Sequence, residues 1–177
     1  MPEMLRIVKR SGRRFVVVCS PNMSRKLKQL GIGESKNGVV ELDVLELAYL
    51  LWSRKAVATQ DDCLLEWLDL LANHDDAATE LIVYIDLLKR HCRVTVLSEK
   101  SKLVRFLVSK SGERFMVIPL REGSSIESQE LISHVREASL NACKLLLALV
   151  DSRGSVVYYE AERFDANSVK HSQAREL

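Results

Sequence analysis

The chain has 177 residues, 47% hydrophobic and 28% charged, with a net charge of +2. That composition fits one ordinary globular domain or two small ones and excludes a disordered tail. The longest apolar run, Leu145 to Val150, is far too short to cross a bilayer, and the first residues lack the apolar core of a signal peptide; the expected location is intracellular, in the cytoplasm, with no membrane partner.

The opening reads as a hairpin, Met4 to Val8 and Phe15 to Val18, turning around Ser11-Gly12. Asn22 is placed to cap a helix that runs to Leu30, with Gly31 ending it. Asn37-Gly38 signals a turn before a short strand from Val39 to Leu42, and Asp43 then caps a helix through Tyr49 and Trp52. Ala56 to Ala58 is strand-like. Asp61 or Asp62 is expected to cap a further helix burying Leu64, Leu65, Leu68 and Leu71.

The polar break Asn73-His74-Asp75-Asp76 divides the chain into a small α+β N-terminal domain, residues 1–74, and a C-terminal α/β domain, residues 75–177. The second part begins with a helix from Ala77 to about Arg90. Strands follow at Arg93 to Leu97, Leu103 to Ser109 and Arg114 to Leu120. Ser124 and Glu127 have capping-box spacing and open a helix with Leu131, Val135, Ala138 and Ala142 on its apolar stripe. Lys144 to Val150 is continuously apolar, as in a strand covered on both faces, and a tight turn leads to a last strand, Val156 to Glu160. The expected fold class is α/β, ending in a mixed sheet flanked by helices.

Charge is unevenly spread. Residues 1 to 30 hold eight basic residues against the single acid Glu3, a net +7 that leaves −5 for the rest. A basic end on a slightly acidic body suits an anionic partner such as RNA, with Arg10, Arg13, Arg14 and Lys26 as the candidate contacts. Cys19, Cys63, Cys92 and Cys143 lack the clustering of a zinc site and are expected to be small buried apolar residues. The four histidines form no ligand pair either, so neither metal nor cofactor is expected.

Three stretches, in order, resemble the tRNA-splicing (tRNA-intron) endonuclease family of archaeal type. The run Cys143 to Asp151, followed by Gly154, Val157-Tyr158-Tyr159-Glu160 and Arg163, looks like that family's C-terminal signature. Tyr84-Ile85-Asp86-Leu87 with Arg90 is similar to its Tyr-x-Asp-Leu-x-x-Arg helix. Leu45, Glu46, Ala48, Tyr49, Leu50 and Leu51 are similar to its N-terminal Glu-Ala-Leu-Tyr-Leu-Leu helix. The resemblance spans roughly residues 40 to 165.

It implies metal-independent RNA cleavage leaving a 2′,3′-cyclic phosphate, which needs a base, an acid and a cation. The family supplies a tyrosine, a histidine and a lysine. Lys144 holds the lysine's place, whereas Ser109 stands at the tyrosine position and Gly112 near the histidine position. Serine is a poor base and glycine has no proton to give. Glu137 replaces an arginine that clasps RNA in catalytic members, while Arg163 matches the second such arginine. Ser101-Lys102-Leu103 replaces a Lys-Phe-Gly turn. His134 shares a face with Glu130, Glu137 and Asn141, which reads as solvated.

Architecture kept while chemistry is lost implies the structural, non-catalytic subunit of an α2β2 heterotetramer that acts on pre-tRNA with catalytic subunits. The resemblance places the partner interface at the edge strand, Val156, Val157, Tyr158 and Tyr159, and makes Asp151 a candidate for an acidic inter-subunit contact. Two other readings stay open: an active endonuclease with an atypical site around Lys144, and a stand-alone RNA-binding module.

Overall fold

The computed structural model describes residues 2–36, 38–61, 63–72, 74–97 and 105–162. Arg163 and Ser101-Lys102-Leu103 lie outside the described residues, as do Asn37, Asp62 and Asn73. The fold is mixed α/β, with two mixed sheets and five helices among the described residues.

The first sheet has the order β3-β4-β2-β1-β5-β6, from β1 (Glu3–Ser11), β2 (Arg14–Val18), β3 (Glu34–Lys36), β4 (Val39–Asp43), β5 (Ala56–Gln60) and β6 (Cys63–Leu64). All pairings are antiparallel except β1 with β5. Leu5, Phe15, Val17, Val40, Leu42 and Ala58 alternate inward, under α1 (Pro21–Leu30) and α2 (Val44–Trp52). Ser20, not Asn22, caps α1: its hydroxyl accepts from the Met23 N–H at 3.1 Å, with Pro21 in the first turn. Asp43 caps α2 in a full capping box with Glu46, as its spacing suggested. Glu46 also accepts from the Gly33 N–H at 3.0 Å. No other residue suits position 33, where φ is +69° and a Cβ would stand 2.5 Å from Leu42 Cδ2.

The segment after β5 departs from expectation. Asp61 adopts φ +51° and turns the chain back, so Cys63–Leu64 pairs with β5 instead of opening a helix. The helix there is only α3 (Trp67–Leu71). Leu70 and Leu71 are buried, but Leu64 and Leu68 are 69% and 60% exposed.

The second sheet, β11-β10-β9-β8-β7, comprises β7 (Arg93–Leu97), β8 (Arg105–Lys110), β9 (Glu113–Arg121), β10 (Lys144–Val150) and β11 (Val156–Ala161). Only β9 and β10 run parallel, joined through α5 (Ser128–Leu140). The helix starts at Ser128 without a side-chain cap; Ser124 instead donates to the Arg121 carbonyl at 2.6 Å, closing the turn after β9. One face of this sheet packs Met116, Ile118, Leu120 and Leu145 toward Ala138 of α5. Phe106, Val117, Ala148 and Val150 on the other face meet α4 (Ala77–Lys89).

The break after residue 72 divides the two sheets, yet one apolar core spans them. Tyr84 of α4 makes an edge contact with Tyr49 of α2, centroids 5.8 Å apart, and lies 6.0 Å from Phe106 of β8. The cysteines do not share one environment. Cys143 is buried, Cys19 and Cys92 are half-buried, and Cys63 is exposed on its turned-back strand.

Candidate functional site

Three of the positions suggested by the resemblance, Lys144, Ser109 and Gly112, lie at one end of the second sheet, whereas Asp151 and Val156 lie at the other. Lys144 pairs with Phe115, which pairs with Val108, so Ser109 and Arg114 occupy the next row. At about 4.8 Å per strand, the backbones of Lys144 and Ser109 lie about 10 Å apart. Ser111 and Gly112, with φ of +51° and +87°, form the two-residue turn between β8 and β9. That left-handed geometry favours glycine, so position 112 serves the hairpin.

Lys144 is half-exposed, and its ammonium faces two carboxylates: Glu113 Oε1 at 3.6 Å and Glu160 Oε1 at 3.9 Å. Both pairs are solvent-exposed and longer than a hydrogen bond, so they offset the charge of the lysine only in part. Neither glutamate was singled out by sequence, because each comes from a different strand and only the register brings them to the lysine. Ser109 is exposed at the strand end, opposite Arg93 and Arg114.

Glu137 pairs with Arg105, a buried guanidinium on β8. His134, expected to be solvated, is only 5% exposed, with Nε2 3.8 Å from Glu130 and Nδ1 3.9 Å from Glu137. The helical wheel misplaced it because Arg105, rising from the sheet beneath α5, draws the acidic stripe inward.

The basic residues of the N-terminal hairpin do not act alike. Arg10 is exposed, its guanidinium 5.3 Å above the Phe15 ring. Arg14 lies 4.0 Å from Glu41, and Lys26, largely exposed, lies 3.8 Å from Glu3. Arg13 is committed elsewhere. It donates to Glu80 of α4 at 2.5 Å and stands 3.7 Å from the buried Asp43, tying the hairpin to the second half. Around it, burial raises the pKa of Glu80 despite Arg13, and lowers that of His74, where Arg13 and Arg10 add to the shift.

The last strand is half committed as well. Val157 and Tyr159 are 51% and 54% exposed along the free edge of the sheet. Tyr158 points the other way and donates to Asp86 of α4 at 2.7 Å, with Arg90 bonded to the same oxygen at 2.6 Å and stacked 5.3 Å from the ring. Burial and that hydrogen bond push the Tyr158 hydroxyl well above the usual tyrosine range. Val156 is half-buried and packs on the core. Asp151 spends Oδ1 on its own turn, accepting from the N–H groups of Arg153 at 2.9 Å and Ser155 at 2.8 Å.

Among the described residues no cluster of His, Cys, Asp and Glu is arranged to hold a metal ion, and no helix is long and apolar enough to cross a membrane. No protein-family model matches the chain, and no curated protein matches it.

Proposed function

We propose that this chain is the structural subunit of a tRNA-splicing endonuclease, assembling with catalytic subunits as α2β2 in the cytoplasm to excise introns from pre-tRNA. The observation carrying this reading is the state of Lys144. The resemblance gives Lys144 the role of the cation, yet the carboxylates of Glu113 and Glu160 stand beside it, and serine and a hairpin glycine occupy the positions it assigns to base and acid. Chemistry that needs a matched acid and base finds no such pair among the described residues at this end of the sheet. The free edge of β11, with Val157 and Tyr159 outward, supports partner pairing, since an open apolar edge is a template for another strand. Arg10, Arg14 and Lys26 support contact with RNA; Arg13 has a structural duty instead.

The test is pre-tRNA cleavage by the purified chain, alone and mixed with a catalytic subunit from the same source. The expected result is cleavage in the mixture only, undiminished by Lys144→Ala in this chain. Cleavage by this chain alone, lost in Lys144→Ala, overturns the reading in favour of an active enzyme.

A further inference from the structure

A continuous trough crosses the molecule on the side away from Lys144. It consists of three adjoining hollows of about 650, 720 and 370 Å³. The first two share Pro2 and Arg54; the second and third share Trp52 and Trp67. The trough therefore runs from α1, past the end of α2 and the turned-back β6, to α4 and the start of β11. That start, Val156, pairs with the last residue of β10, whereas Lys144 is its first.

The trough walls are largely apolar. Trp52 is 43% exposed, and the exposed Leu64 and Leu30 line the same and the adjoining hollow. Exposed apolar surface gathered in a concavity marks a binding surface more than a scatter of single residues does. The rim is selective in charge. Arg54 and Lys89 make no ion pair among the described residues, and Lys55 is bonded to the Tyr49 hydroxyl rather than to a carboxylate. Of the acids, Glu3 is engaged by Ser20 and Lys26, and Asp86 by Arg90 and Tyr158. Only Glu66 is left on the anionic side.

We propose that this trough docks an acidic amphipathic segment of a partner protein, its large apolar side chains against Leu30, Trp52 and Leu64 and its carboxylates toward Arg54, Lys55 and Lys89. Charge complementarity selects an acidic occupant and disfavours a basic one. Two tryptophans line the trough, but aliphatic side chains, Leu30, Leu51, Leu64, Leu65 and Ile82, surround them, and that mixture suits the varied side chains of a peptide better than a run of stacked bases. The segment would touch both halves of the chain at once. This inference does not depend on the splicing role, since the trough lies apart from Lys144.

Trp52 and Trp67, the only tryptophans of the chain, both line the trough, so intrinsic fluorescence reads it directly. The full chain is titrated with synthetic amphipathic peptides carrying leucine anchors at helical spacing and flanking glutamates, and with their lysine-for-glutamate copies. The expected result is a saturable shift for acidic peptides, weakened by salt, with the lysine copies at least tenfold weaker. Arg54→Glu with Lys89→Glu should reverse that preference. Leu64→Ala, at an exposed wall position, should weaken acidic-peptide binding several-fold with an unchanged far-ultraviolet circular dichroism spectrum. The proposal is overturned if no peptide saturates, if both charge forms bind alike, or if the charge-reversed variant folds and keeps the original preference. It is also overturned if a single-stranded RNA oligomer saturates the signal at lower concentration, or if the signal follows chain concentration without peptide, indicating a second copy.

Discussion

Glu46 holds the turn before α2 by accepting two backbone N–H groups, yet its burial dominates and lifts its pKa from 4.5 to about 7. Its folded pKa lies above its unfolded one, so the folded state holds the proton more tightly. Stability associated with that proton is complete below pH 4.5 and declines as pH rises to 7, by about 3 kcal/mol at most. Glu46→Gln loses one acceptor and should cost about 1 kcal/mol at pH 5. Between pH 5 and 8 it should nevertheless decline less than the wild type. Urea midpoints across that range measure the difference between the two proteins; parallel curves would assign the decline to another group. Arg13 makes a second residue-scale case. Arg13→Ala would leave Glu80 and Asp43 buried without their cation, and should lower unfolding free energy by about 3 kcal/mol. Arg10→Ala, at an exposed site, should change stability little in the same urea titration. The two arginines are three positions apart in a basic run, and no property of that run separates them. The difference comes from Glu80, 67 residues away from Arg13.

The elements most visible in the sequence carry their own punctuation: Asp43 before α2, the apolar stripe of α4, the unbroken run of β10. Those that the sequence pattern hides have no punctuation of their own and depend on the edge of a neighbouring strand. β3 is wholly polar and exists as a strand because β4 offers it an edge. Cys63–Leu64 looks like the start of a helix until Asp61 reverses the chain. The site follows the same pattern. The place of Lys144 follows from its strand, but its partners Glu113 and Glu160 follow from strand register alone. β11 yields an element-scale prediction. Among the described residues only its β10 side is paired within the sheet, and Tyr158 anchors it to α4 through Asp86. Tyr158→Phe removes that hydrogen bond and should cost about 1 kcal/mol. Amide hydrogen exchange should quicken in β11 well before it changes in β9, which is flanked on both sides. Equal quickening in both strands would mean that the tether supports the whole sheet.

Across the whole molecule, the polar break separates the sheets without separating the core. Tyr49, Tyr84 and Phe106 pack in succession from α2 through α4 to β8, and Arg13 bonds across the same junction. Heat or urea should therefore unfold the chain in one transition, with circular dichroism and tryptophan fluorescence coinciding although both tryptophans lie in the first half. A fragment of residues 75–177 should expose the α2-facing side of α4 and bind a hydrophobic dye. A fragment with native cooperative melting and no dye binding would show that the halves are independent.

The central place of β1 in its sheet has a consequence for synthesis. Residues 3–6 emerge from the ribosome early, and β2 follows them at once, but their other neighbour is residues 56–59. Until that strand is made, Met4 to Arg6 present an open edge, and closing a span of about fifty residues is slower than zipping a hairpin. The nascent chain thus passes through an interval of half-built sheet, in which a chaperone or a pause in translation downstream of β5 would do most to protect it from pairing with the wrong strand.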